Sequence, residues 1–68
     1  MKYAVVYEEG PRSWGAYVPD LPGCVAAGKT KAETRKLIRE AIQMHLEAIR
    51  DGGGRVPEPG GAVELVEV

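Results

Sequence analysis

The chain has one cysteine, one histidine, one tryptophan and no phenylalanine, and each scarcity removes a class of explanation. A lone Cys24 forbids an internal disulfide, and Cys24 with His45 cannot supply the four ligands of a structural zinc site. Ten acids against nine bases leave a net charge of −1, so there is no basic excess of the kind that non-specific binding to nucleic acid or to an anionic membrane requires. No apolar run approaches the roughly 20 residues that span a bilayer. Met1-Lys2-Tyr3-Ala4 leads straight into strand-like sequence without the layout of a signal peptide. These absences predict a soluble cytoplasmic protein with a free thiol. The 68 residues make one domain, 1–68. A chain this short hides only about 60% of the surface it would expose unfolded. With disulfide and zinc excluded, self-association or a partner protein is the remaining supplement to its core.

What is present is an ordered series of periodic segments. Lys2 to Glu8 is β-branched and aromatic, with Tyr3, Val5 and Tyr7 on one face and Ala4 and Val6 on the other. Both faces are apolar, which predicts a central strand. After the Gly10-Pro11 turn, residues 14–18 form the second arm of a hairpin. Pro19-Asp20-Leu21-Pro22-Gly23 cannot continue a ladder, because its prolines lack N–H groups and fix φ. A third strand of small residues follows at 24–28. Thr30 and Glu33 then have capping-box spacing, and nothing breaks a helix over 31–51 before Gly52, the expected left-handed C-terminal residue. Leu37, Ile38, Ala41, Ile42, Met44, Leu46, Ala48 and Ile49 make a broad apolar stripe on this helix, with charged residues opposite. A last strand is expected over 62–67.

The fold class expected is α+β: a two-layer β-β-β-α-β domain whose mixed four-stranded sheet, in the order 3-2-1-4, carries one long helix on one face. The crossover from helix to last strand makes that pairing parallel. One helix covers one face, so two or three of Tyr3, Tyr7, Trp14 and Tyr17 are expected on the other, as an apolar surface open to association.

Residues able to do chemistry are few. His45 lies in the helix stripe without a second histidine and fits a core position better than a ligand site. Cys24 fits a buried, inert thiol. Asp20 suits an Asx turn that locks its loop. Gly52 to Gly54 follows a helix instead of preceding one, so it is no phosphate loop. Glu8 and Glu64 approach one another if the terminal strands pair, but nothing supplies the remaining ligands of a two-metal site. Lys29, Lys31, Arg35, Lys36 and Arg39 make the first half of the helix basic. No set of nucleophile, base and acid emerges, and no metal or cofactor is expected. The residues describe a non-enzymatic interaction domain.

A more specific resemblance lies in Trp14-Gly15-Ala16-Tyr17-Val18-Pro19-Asp20-Leu21-Pro22-Gly23-Cys24, followed by Gly28-Lys29-Thr30, a capped amphipathic helix and Val56-Pro57-Glu58-Pro59. Over nearly its whole length the chain resembles the HicB antitoxin family, most specifically in the Pro-Asp-Leu-Pro-Gly-Cys run. The resemblance implies a partly degenerate ribonuclease-H-like domain in a type II toxin–antitoxin system. Its implied partner is a small HicA-like ribonuclease toxin with a double-stranded-RNA-binding-like fold and a catalytic histidine, which the antitoxin keeps from messenger RNA. Shape similarity to ribonuclease H does not imply its activity. Many relatives continue into a DNA-binding domain, and ending at Val68 implies a stand-alone form with no direct DNA binding. The expected partner contacts are Tyr3, Tyr7, Trp14 and Tyr17, with Asp20 and Pro22 shaping the adjacent loop. Two other readings stay open: a self-assembling homo-oligomer that uses the same face, and a weak metal-dependent nuclease built on Glu8, Glu64 and Asp20.

Overall fold

The computed structural model describes residues 2–60 and Val66. Three antiparallel strands, β1 (Val6–Glu9), β2 (Trp14–Tyr17) and β3 (Val25–Gly28), form one sheet in the order β1-β2-β3. A 21-residue helix, α1 (Lys31–Asp51), packs on β2 and β3. The architecture is therefore α+β with three described strands and one helix. The expected fourth strand over 62–67, and with it the order 3-2-1-4, lies outside the described residues apart from Val66. Among the described strands β2 is central and β1 is at an edge.

The β1–β2 hairpin turns at Gly10, whose N–H donates to the Ser13 carbonyl at 2.8 Å. Its register pairs Val6 with Tyr17 and Glu9 with Trp14. Regular pairing starts at Val6, later than the residue 2 expected from composition. The partner strand explains this, because the next residues in register reach Pro19, which has no N–H for a ladder. Tyr3 and Val5 nevertheless pack against the core.

The segment from Val18 to Cys24 is two successive turns. Leu21 N–H donates to the Val18 carbonyl (3.1 Å) around Pro19, and Cys24 N–H to the Leu21 carbonyl (3.0 Å) around Pro22-Gly23. Gly23 has φ +83°, so the second turn is type II, with proline and glycine at the positions that favour them. Val18 N–H to the Cys24 carbonyl (3.1 Å) closes the loop. A spacing of three sends Val18, Leu21 and Cys24 inward, at 2%, 0% and 3% exposure, while Pro19, Pro22 and Gly23 stay outside. The turn sequence is thus a plug, and with Ala16 and Ile38 it makes the buried core.

Helix α1 begins at Thr30, whose hydroxyl accepts from Glu33 N–H at 3.0 Å. The Glu33 carboxylate accepts from Lys29 N–H (3.3 Å), one residue before the position a capping box uses. The helix ends in a Schellman arrangement one residue later than expected. Gly52 keeps φ −80°, and Gly53 adopts the left-handed conformation at φ +74°. Gly53 N–H then donates to the Arg50 carbonyl (3.0 Å) and Gly54 N–H to the Ile49 carbonyl (2.8 Å).

The face of α1 turned to the sheet centres on Thr34 and Ile38, with Ala41, Ile42 and Leu46 half-buried around them. Met44, expected in this stripe, is 69% exposed. Thr34 is fully buried; its hydroxyl donates to the Thr30 carbonyl (2.8 Å) and lies 3.4 Å from the Trp14 carbonyl. Gly28 makes that approach possible, because a Cβ there would come within 2.8 Å of Thr34 Oγ1 and 3.1 Å of its N. Gly28→Ala is therefore expected to cost about 1–3 kcal/mol by overpacking, measured as a lower midpoint in urea unfolding.

Candidate partner-binding surface

The hairpin register decides which side chains share a face. Tyr7, Ala16 and Ala26 lie in one cross-strand row and Glu9, Trp14 and Gly28 in the next of the same parity. This is the face that α1 covers, since Tyr3, Val5, Tyr7 and Ala26 all pack against the cluster holding Ala16 and Ile38. The small residues Ala16, Ala26 and Gly28 let the helix approach, while the large rings take up the β1 side. Lys31 closes that side, its Nζ 5.4 Å from the Tyr7 ring centroid and 5.8 Å from that of Trp14, within cation–π range.

The expectation that two or three of the four aromatics share the uncovered face is therefore corrected. Tyr3, Tyr7 and Trp14 have the parity of the helix side, and Tyr17 alone lies on the other. Tyr17 is 41% exposed there, in a row with Val6 on one neighbour and Val25, 65% exposed, on the other. Glu8, Gly15 and Ala27 form the next row. The surface is a narrow apolar strip across three strands, with one ring at its middle. Val6 and Val25 were not singled out from sequence, although counting back across the Gly10–Ser13 turn would have aligned Val6 with Tyr17.

Pro22 is exposed at the tip of the loop that follows Tyr17. Asp20 is half-buried, and its Oδ2 accepts from the Gly60 N–H at 3.3 Å, tying the loop to the segment after the helix. Tyr3 makes a second such tie, its hydroxyl donating to the Pro57 carbonyl. Asp20 and Tyr3 thus hold the chain around the surface.

Among the described residues the possible chemical groups do not converge. Glu8 sits near the hairpin turn and Asp20 beyond the other end of β2, and Glu64 lies outside the described residues. Among the described residues no group of three or more His, Cys, Asp or Glu side chains could hold a metal ion. No described helix is long and apolar enough to cross a membrane. His45 is half-buried on α1. Cys24 is 3% exposed, and burial pushes its thiol above its ordinary 9.0. Native Cys24 is expected to resist iodoacetamide near neutral pH and to react once urea unfolds the chain. The raised pKa also sets a sign: the thiol's contribution to stability is whole below pH 9.0 and falls as pH rises further, because the unfolded chain ionises first.

Comparison with known proteins gives one consistent neighbourhood. A sequence model of the "HicB_like antitoxin of bacterial toxin-antitoxin system" matches residues 3–67. A UPF0150 protein of Thermoplasma acidophilum is 36% identical over 58 residues, covering 84% of each chain. One from Archaeoglobus fulgidus is 36% identical over 56 residues, covering 76% of this chain and 81% of its own. A chain of a solved "HicA3 and HicB3 toxin-antitoxin complex" superposes with a TM-score of 0.74 at 32% identity, covering 88% of this chain and 70% of the other.

Proposed function

The chain belongs to the HicB-like antitoxin family of bacterial toxin–antitoxin systems, and on that premise we propose that it binds a small HicA-like ribonuclease toxin and blocks the toxin's access to messenger RNA. The observation that carries the reading is the match, across 88% of this chain, to a chain of a toxin–antitoxin complex. The action is occlusion without catalysis, and it takes place in the cytoplasm, where messenger RNA is. The ribonuclease-H-like form of the domain, with 62–67 as a fourth strand in the order 3-2-1-4, belongs to the same proposal.

The contact is centred on Tyr17, flanked by Val6 and Val25 and extended by Pro22 at the loop tip. Interfaces draw most of their energy from a few aromatic or arginine anchors surrounded by small apolar contacts, which is the composition of this strip. Tyr3, Tyr7 and Trp14 support it from the helix side, and Asp20 fixes the loop. Coexpression with the product of the adjacent gene tests the reading. A stable complex and relief of toxin-induced growth arrest are expected; continued arrest with no complex would overturn it.

The strip also favours a homo-oligomer of the free chain, because Val25 and Tyr17 leave apolar surface in water. Light scattering should show a larger species that gives way to a mixed complex when toxin is added.

A further inference from the structure

The outer edge of β3 is ready for another strand. The Cys24 carbonyl accepts from Val18 N–H between β2 and β3. Antiparallel ladders alternate, so Ala26 and Gly28 turn their N–H and C=O groups towards β2, while Val25 and Ala27 turn theirs away. Among the described residues nothing pairs with those outward groups. The strand also lacks the devices that blunt an edge. Val25-Ala26-Ala27-Gly28 has no proline and no charge, and its register with β2 runs without a bulge. The other described edge, β1, ends in the exposed acids Glu8 and Glu9.

The helix leaves an unfilled seam above the same edge. Leu37, Ala41, Met44 and Ala48 recur at spacings of four, three and four residues, the a/d pattern along which two helices pack. Met44 is 69% exposed and Ala48 is exposed, while Leu37 and Ala41 are half-buried. This seam looks outward past β3. The opposite flank of α1, with Ile42 and Leu46, meets Tyr3 in a groove on the β1 side, whereas Glu33, next to the seam, lies beside Gly28.

We propose that β3 and this seam together form a twofold interface with a second copy of the chain. Antiparallel pairing of the two β3 strands about Ala26 sets Val25 of each against Ala27 of the other, uses all the outward backbone groups, and joins the two sheets into one. Neighbouring strands lie about 4.8 Å apart and α1 rests on both β2 and β3, which puts the two helices about 10 Å apart, a packing distance. Gly28 lies against Thr34, and Ala26 is about 7 Å further back along the strand, or roughly five residues of helix. The axis therefore crosses α1 near Ile38. Leu37 meets Leu37 of the second copy there, Met44 reaches the first turn of the second copy's helix, and Lys36 of each copy comes opposite Glu40 of the other. The contact is self-complementary, as a twofold interface demands. The Tyr17 face of both copies stays open, so this dimer is independent of toxin binding and remains when association through that face gives way.

Sedimentation of the full-length chain tests it, and a dimer is expected. Ala27→Pro removes an outward N–H and leaves the ladder to β2 intact, so it should give a folded chain whose dimer dissociation constant is at least about tenfold higher. Lys36→Glu and Glu40→Lys should each raise the constant about 3–10-fold, and the double exchange should bring it back near the parent's. Tyr17→Thr should leave it unchanged. Should Ala27→Pro fail to fold, the charge exchange decides. A chain that stays monomeric up to millimolar concentration would overturn the proposal. So would a dimer that Tyr17→Thr abolishes, or one that neither Ala27→Pro nor the charge exchange weakens.

Discussion

Leu21→Ala is expected to lower the melting temperature by more than about 10 °C, and to leave a measurable unfolded fraction at 37 °C. Leu21 has no exposure at all and sits between Val18 and Cys24 under the helix. Truncating a buried leucine costs about 2–5 kcal/mol, depending on how far the site collapses. Domains hold roughly 0.05–0.15 kcal/mol per residue, so a chain of this length has about 3–10 kcal/mol in total. One side chain therefore decides much of the folding balance. For domains of 60–100 residues each kcal/mol moves the midpoint by about 4–8 °C. Pro22→Ala, which changes the exposed turn position next to Leu21, should move it far less. A Leu21→Ala midpoint within about 4 °C of the parent would show that the turn sequence is not a core plug.

The second large effect is on binding. Tyr17→Thr should weaken the affinity for a HicA-like toxin about 30-fold or more, the equivalent of losing a hot-spot residue worth about 2 kcal/mol. Threonine keeps a strand-forming residue in the central strand, so the fold should survive the change. Val25→Glu should act in the same direction, because it puts a charge next to the ring in the same cross-strand row. Trp14→Ala is the informative contrast. Its ring lies on the helix side beneath Lys31, so stability should fall along with any loss of affinity. Calorimetric titration and thermal melts on the same three variants separate the two behaviours. A Tyr17→Thr chain that binds as tightly as the parent would remove the strip from the interface.

Much of this structure was legible in the residues, and the reasons are local. Thr30, Glu33 and the glycines after Asp51 bracket the helix, because capping chemistry is read from short spacings. The two prolines and Gly23 announced the turns of the 18–24 loop for the same reason. What was not legible depended on where the helix came to rest. The first strand is apolar on both faces, so its own pattern could not say whether Tyr3 and Tyr7 or Val6 would be covered. The answer lay in Ala16, Ala26 and Gly28, small residues on neighbouring strands that give Ile38 and Thr34 room to approach. Met44 falls outside the covered face because a helix on a narrow sheet needs only a narrow stripe, and the outer part of the expected one meets solvent. The left-handed residue is Gly53 and not Gly52, because the Schellman bonds to Arg50 and Ile49 close the helix one residue further on.

The proposed partner surface was half legible. An apolar open face followed from counting one helix against a sheet, and Tyr17 was among the residues expected on it. Its companions Val6 and Val25 needed the strand register, which depends on the length of the Gly10–Ser13 turn and on the type II turn at Gly23. The class of partner proposed for that strip rests on the likeness to a chain from a toxin–antitoxin complex, and not on geometry.

The most direct test is inhibition of the toxin's own reaction. The purified product of the adjacent gene is given a messenger RNA, and cleavage is followed as the chain is titrated in. Cleavage should fall to background near equivalence, and at toxin concentrations below the dissociation constant the half-inhibition point of the Tyr17→Thr chain should lie about 30-fold higher than the parent's. Undiminished cleavage in the presence of excess folded chain would contradict the proposed occlusion.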